Sequence, residues 1–197
     1  MRNSFLTLPV SRNLPRRAGS KPVDHSITYF NHVCLPRAAL LGNLDKPTDL
    51  RQNFLSVNWR VGVGSLILST VCVPVMKASI YVAGQYSMRR KVTGSRGQPT
   101  PIISFRTQQL PILHALAQVF VLEAFAKDAA ERFVARGLDP RIRYGIAAVF
   151  KAVMVHHVQS SLFALAERCG AQGLFEENQI IASQAQTESD MAYLSPH

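Results

Sequence analysis

Between Arg60 and Arg89 the chain carries a single charged side chain, Lys77. Residues 61–76 are uncharged, residues 78–88 are uncharged again, and the apolar positions recur at helical spacing. A helix so long and so apolar needs partners to cover it, because an isolated helix gains little stability in water. The stretch therefore predicts a helical bundle and argues against an extended, solvated chain. A transmembrane helix wants about 20 apolar residues, and Lys77 would sit near mid-bilayer if the two halves were joined. The pattern is read as a buried bundle helix, and no transmembrane span is expected.

The rest of the chain fits that reading. The helical pattern covers residues 58–92, with Gly62, Gly64 and Pro74 as weak points. Pro74 is expected to kink the helix rather than end it, since the apolar period resumes at Val75, Ile80 and Val82. Arg89-Arg90-Lys91 closes it where cations suit the C-terminal dipole. Residues 94–100 read as a plain loop. A second helix is expected over 107–136, with Pro111 in its first turn and with Glu123–Lys127 and Asp128–Arg132 as i,i+4 ion pairs. Gly137 ends it. Asp139-Pro140 then restarts a helix with an N-cap and a proline at the first position. It runs to about Cys169, where Gly170 stops it. A shorter, more polar helix follows over 176–188.

Upstream, residues 24–41 begin with alternation at Ile27 and Tyr29, less regularly at His32 and Cys34, and close on Pro36; they read as one or two strands. Thr48 or Asp49 caps a helix beginning near Leu50. The predicted class is mainly α: an antiparallel helical bundle with three long helices and a short N-terminal β segment. The organisation expected is a flexible basic segment 1–23, a β remnant and linker 24–47, a bundle 48–188 and a tail 189–197.

Of 197 residues 47% are hydrophobic, enough to fill a core, and 22 Lys and Arg against 12 Asp and Glu leave a net charge of +10. The charge is uneven. No Asp or Glu occurs over residues 50–122, while eight bases lie there, from Arg51 to Arg106. Such a zone suits a polyanion: DNA, phospholipid or a phosphate-bearing cofactor. No zinc-finger or RNP motif accompanies it, so no nucleic-acid partner is expected. Cys34, Cys72 and Cys169 are far apart and form no CxxC pair, which argues against a disulfide scaffold or zinc ribbon and for intracellular thiols. His156 and His157 point about 100° apart on a helix, so they make no i,i+4 metal pair and read as core or interface histidines. Val61-Gly62-Val63-Gly64 lacks the third glycine of a dinucleotide fingerprint and reads as close helix packing. Residues 1–23 hold Arg2, Arg12, Arg16, Arg17 and Lys21 with no acid, as a transit peptide does, but Pro9 and Pro15 break the helix it would need.

Four segments together resemble a known family. Asn31-His32-Val33-Cys34-Leu35-Pro36-Arg37 is similar to the FNHV-x-hPR segment closing the middle β-domain of acyl-CoA dehydrogenases and acyl-CoA oxidases. Tyr86-Ser87-Met88-Arg89-Arg90-Lys91 resembles the YS-x-RR-Q/K stretch ending the first long helix of their C-terminal bundle. Ile103-Ser104-Phe105-Arg106-Thr107-Gln108-Gln109 is similar to the oxidase I-x-x-YQTQQ segment. Glu167, followed by Cys169-Gly170-Ala171-Gln172-Gly173-Leu174-Phe175, resembles the oxidase E-A-C-GG-x-G-Y/F loop. The four stand in family order over about residues 20–180.

The resemblance implies an FAD-dependent α,β-dehydrogenation in fatty-acyl-CoA oxidation or a specialised, secondary-metabolite acyl-CoA pathway. It implies that Arg90, with Arg89 as second choice, meets the FAD pyrophosphate across a dimer interface. It implies that Gln108 or Gln109 contacts the flavin nucleotide, and that Gly170 and Gly173 let the backbone approach the adenosine diphosphate part. Ala171 stands where the family has its second glycine. No catalytic carboxylate is found at the family's position after the fourth helix, and the domains that hold the isoalloxazine and acyl chain have no counterpart here, so the chain reads as shortened. Weak or no flavin retention and no catalytic or metal-ligating residue are expected of it alone. Acyl-CoA and a second copy or a longer homologue are the implied partners. A peroxisomal location is implied ahead of a mitochondrial one, without a clear C-terminal peroxisomal signal. The competing reading is a non-catalytic helical assembly module.

Overall fold

The computed structural model describes residues 9–15, 25–43, 45–175 and 177–192. A two-turn helix α1 (Leu50–Val57) leads into three long ones, α2 (Trp59–Arg89), α3 (Arg106–Val134) and α4 (Pro140–Glu167), and α5 (Gln179–Ala192) follows. Asp49 starts α1 by accepting hydrogen bonds from the backbone N–H groups of Arg51 and Gln52, and Asp139 starts α4 in the same way toward Arg141. Trp59, at the start of α2, stacks on Phe133, at the end of α3, with ring centroids 4.9 Å apart. Gln108, at the start of α3, reaches Ser87 near the end of α2. The three helices therefore run up, down and up. The mainly α bundle expected from the sequence is the observed fold.

Its core follows from spacing. The buried side chains of α3 are Ile112, Ala115, Val119, Leu122, Ala126, Ala129 and Phe133, an alternation of three and four that keeps one seam toward its neighbours. From α4, Phe150, Met154, Val158, Leu162 and Leu165 are fully buried. On α2 the buried stripe mixes Met76 and Ile80 with small residues such as Ser69, Ala83 and Ser87. The two serine hydroxyls donate to the carbonyls of Ser65 and Ala83, each at 2.7 Å. A buried hydroxyl satisfied within its own helix carries no desolvation penalty, and its small size lets α4 come close. Gly62 is buried against the rings of Tyr144 and Phe133, while Gly64 faces open space. By length and composition α2, α3 and α4 are each long and apolar enough to cross a membrane. On the outward side of α2, Val61, Ile67, Val71 and Tyr81 are more than half exposed.

Several local expectations change. Residues 94–100 are not a plain loop: strand β3, Lys91–Thr93, pairs antiparallel with β4, Pro99–Pro101. Gly97, in the left-handed region at φ 79°, lets the chain reverse there, and its N–H donates to the Gly94 carbonyl at 3.0 Å. Glu123 pairs not with Lys127 but with Lys77 of α2, at 2.8 Å. Packing α3 on α2 offers a contact that the isolated helix lacks. Asp128–Arg132 forms as expected, at 2.9 Å. His156 is exposed and His157 half-buried, so neither is a core histidine; their rings meet edge-on, 5.4 Å apart. Pro111 lies in the second turn of α3, because that helix begins at Arg106.

The expected N-terminal strand narrows to β2, Ser26–Tyr29, paired antiparallel with β1, Val10–Asn13, inside the segment expected to be flexible. Asn31 and His32 follow it in an exposed loop. Most of residues 1–23, and the tail beyond 192, lie outside the described residues.

Candidate functional site

The end of the bundle where α2 stops, α3 starts and α4 stops holds a groove of about 660 Å³. Arg90 caps α2, its N–H donating to the Tyr86 carbonyl at 2.8 Å, and its own carbonyl accepts from the Ile102 N–H at 2.9 Å. That bond fixes the base of the hairpin beside the start of α3. The groove is lined by Tyr86, Arg90, Val92, Ile102, Phe105 and Thr107 from the end of α2 to the start of α3, and by Gln108, Glu167, Arg168, Gly170, Ala171 and Gln172. Gly170, at φ 57°, turns the chain out of α4 in a conformation that side chains disfavour, and a Cβ there would meet open space.

Of the six residues singled out from the sequence, Arg90, Gln108 and Gly170 line this groove; Arg89, Gln109 and Gly173 do not. Gln108 is also a staple. Its amide nitrogen donates to the Ser87 hydroxyl at 2.8 Å and to the Arg168 carbonyl at 2.7 Å, tying α2, α3 and the end of α4 together. Gln109 donates to the Ile103 carbonyl at 2.8 Å and holds the turn before α3. Arg89 is exposed at the last position of α2. Gly173 is buried, and a Cβ there would run into the Ala166 carbonyl oxygen, so this glycine serves packing.

Arg168 was missed by reasoning from sequence. It stands where the family-like loop motif has alanine, which was the available signal. Its Nη1 donates to the Thr107 carbonyl at 3.0 Å, its Nη2 lies 3.5 Å from the Glu167 carboxylate, and its Nε is buried without a partner. The Thr107 carbonyl is available because Pro111, four residues on, has no N–H to give it. Arg89, Arg90, Lys91 and Arg106 belong to the elements of this same end, with Arg96 in the turn between β3 and β4, and among the described residues Glu167 is the one acid lining the groove. The charge field favours an anion there.

The loop after α4 is held from below. Asn178 donates to the Gln172 carbonyl at 3.0 Å and accepts from the Ile180 N–H at 2.9 Å, capping α5. Burial pushes the Cys169 thiol up, against a weaker opposing pull from its hydrogen bond to Asn178. A buried thiol held protonated is a packing residue and no nucleophile. Among the described residues no three His, Cys, Asp or Glu gather as a metal site would require.

Fold and groove thus define a helical-bundle protein with an arginine-lined cleft at one end. No family profile matches the chain. Individual proteins do. It is 22% identical to human (Homo sapiens) peroxisomal acyl-coenzyme A oxidase 3 over 192 residues, covering 85% of this chain and 27% of that protein. It is 25% identical to the peroxisomal acyl-coenzyme A oxidase 2 of Arabidopsis thaliana over 173 residues, covering 80% of this chain and 25% of that protein. The chain spans about a quarter of the length of these curated relatives. These matches support an acyl-CoA oxidase-like relationship at family level.

Proposed function

We propose that this chain is the nucleotide-holding helical part of an FAD-dependent acyl-CoA oxidase-like protein, and that the groove takes the adenosine diphosphate portion of FAD. One observation carries the reading: Arg90, Gln108 and Gly170, drawn from three separate motif-like segments, meet in a single groove. The residues suit the group. Arg90 offers a guanidinium to a diphosphate, Arg168 has a buried donor without a partner, and Gly170 leaves space beside them. Tyr86, Val92, Ile102 and Phe105 supply an apolar wall on which a purine can lie.

When bound, FAD supplies the two-electron acceptor for α,β-dehydrogenation of an acyl thioester. The work left to these residues is holding: Arg90 offsets diphosphate charge, Gln108 keeps the three helix ends in register, and Gly170 keeps the backbone clear. Glu167, the one carboxylate among the described residues lining the groove, lies 3.5 Å from Arg168, and no base for an α-proton is assigned among the described residues. An acyl-CoA substrate and a peroxisomal location are part of the proposal, by analogy with the relatives' names.

Titration calorimetry with ADP tests the proposal. Wild-type protein should bind ADP weakly and in a salt-sensitive way, Arg90→Ala should weaken it about tenfold, and the melting temperature of that variant should match wild type. FAD should be lost on purification, and the isolated chain should oxidise no acyl-CoA. Failure of wild type to bind ADP at millimolar concentration would overturn the assignment.

The exposed apolar face of α2 favours a second reading, a non-catalytic module that pairs with another copy or a longer homologue. Light scattering across a concentration series should show association; a monomer at the highest concentration would overturn it.

A further inference from the structure

We propose that Arg168 is a second diphosphate-binding arginine of the groove, held ready by a backbone carbonyl that Pro111 sets free. The proposal rests on the reading of the groove as a nucleotide site and adds a residue that neither the motif resemblance nor the relatives assign.

The argument starts from a defect in a helix. In an unbroken α3 the Thr107 carbonyl would accept from the N–H four residues later. Position 111 is proline, so that acceptor has no donor of its own helix. Arg168, just past the end of α4, fills the gap with Nη1 at 3.0 Å. A guanidinium donates along fixed directions, so anchoring one nitrogen fixes the others. The edge formed by Nε and Nη2 is the edge that grips an oxyanion with two parallel hydrogen bonds. In Arg168 that edge is under-used. Nε has no partner, and Nη2 has only a carboxylate contact of 3.5 Å, too long for a good charge-assisted bond.

A buried donor left unmade is costly; Arg168 lines the groove, and a small shift of its side chain that brings the Nε edge to the groove surface would let an anion relieve it. Glu167 is more than half exposed at its side chain, so it can swing into water when a phosphate oxygen takes its place beside Nη2. Arg168 and Arg90, both lining the groove, would then share one diphosphate. Pro111 acts through Arg168 and is a positioning residue.

Calorimetric titration of ADP and, separately, of inorganic pyrophosphate into wild type and the variants R90A, R168Q, P111A and E167Q tests this. The variant R168Q keeps a donor for the Thr107 carbonyl but loses the charge and the two-nitrogen edge. It should bind ADP and pyrophosphate about tenfold more weakly, with a shallower salt dependence. For P111A, where the intrahelical N–H competes for Thr107, affinity should fall about threefold through lost preorganisation while melting temperature rises. The variant E167Q should tighten ADP binding. If R168Q fails to fold, R168K replaces it; retaining charge without the fork, it should still lose several-fold, and wild-type affinity would overturn the proposal. ADP affinity unchanged in R168Q but lost in R90A overturns the role of Arg168 and leaves the groove standing. No ADP binding by wild type, or binding indifferent to both arginines, overturns the two together.

Discussion

The two ends of the bundle each hold an arginine with a buried Nε that lacks a partner, and they use it in opposite ways. At the end where α2 begins, Arg143 lies 5.0 Å from the Trp59 ring centroid and donates to the Ala135 carbonyl at 2.8 Å. Trp59 stacks on Phe133, and the Tyr144 hydroxyl donates to the Leu55 carbonyl at 2.9 Å, binding α1 to α4. The Trp59 face covers that cation. At the other end Arg168 is likewise anchored by a backbone carbonyl, but among the described residues no ring is stacked over its guanidinium, and a groove opens beside it. One side-chain type and one kind of anchor thus give a sealed cap or a receptive cleft, according to whether aromatic residues close over the charge.

The sharpest way to break this contrast is at the sealed end. Phe133 is 2% exposed, and Phe133→Ala should cost about 3–5 kcal/mol of unfolding free energy, read by chemical denaturation. Below its melting transition the variant should bind ADP as wild type does, because the groove lies at the other end of helices about 40 Å long. Next come the two glycines of the loop after α4. Gly173→Ala should destabilise by about 1–3 kcal/mol, since its Cβ runs into a backbone carbonyl rather than a movable side chain. Gly170→Ala meets only open space and should cost about 1–2 kcal/mol for its left-handed backbone. If the order of the two were reversed, the assignment of Gly173 to packing and Gly170 to the groove would fall.

Removing the staple is a smaller perturbation. Gln108→Ala should cost about 1–2 kcal/mol and loosen ADP binding, since two buried partners lose their donor. Gln109→Ala should cost less, and ADP affinity should not move. The smallest effect is the response to acid. Asp139, which caps α4 at the sealed end, is held at about 2 chiefly by its side-chain hydrogen bond to Arg141. Glu123 is lowered chiefly by its hydrogen bond to Lys77. Both carboxylates titrate below their ordinary values, so their stabilisation is complete above those values, 3.8 and 4.5, and is lost as pH falls through the lowered ones. Melts from pH 5 to pH 2 should show declining stability, and a double variant D139N/E123Q should show a flatter decline.

Spacing made the bundle legible before any coordinates. The apolar period of α2, the Asp139-Pro140 start of α4 and the Gly170 stop are local signals, and local signals survive folding. What escaped was decided between elements. Glu123 has a partner at i+4 in the sequence, yet α2 brings Lys77 closer. The hairpin of β3 and β4 escaped because Lys91-Val92-Thr93 and Pro99-Thr100-Pro101 show no alternation and are only three residues each. Of the residues that motif resemblance singles out, Arg90, Gln108 and Gly170 line the groove, while Arg89, Gln109 and Gly173 lie outside it. Neighbours in a sequence point in different directions once a helix or turn is built. Arg168 escaped because its meaning depends on a proline 57 positions earlier.

The seam of α3 has one more consequence. A stripe that repeats every seven residues does not by itself say where along the axis the helix should stop, because a slide of one repeat, about 10 Å, superimposes the stripe on itself. Two things forbid the slide. Residue sizes do not repeat with the stripe, so Ala126 would fall where Phe133 belongs. The ends also act as stops: Trp59 receives Phe133 at one extremity, and Ser87 and the Arg168 carbonyl receive Gln108 at the other. The helix is gauged like a rod between two fixed jaws, and the groove keeps its dimensions only while both jaws hold.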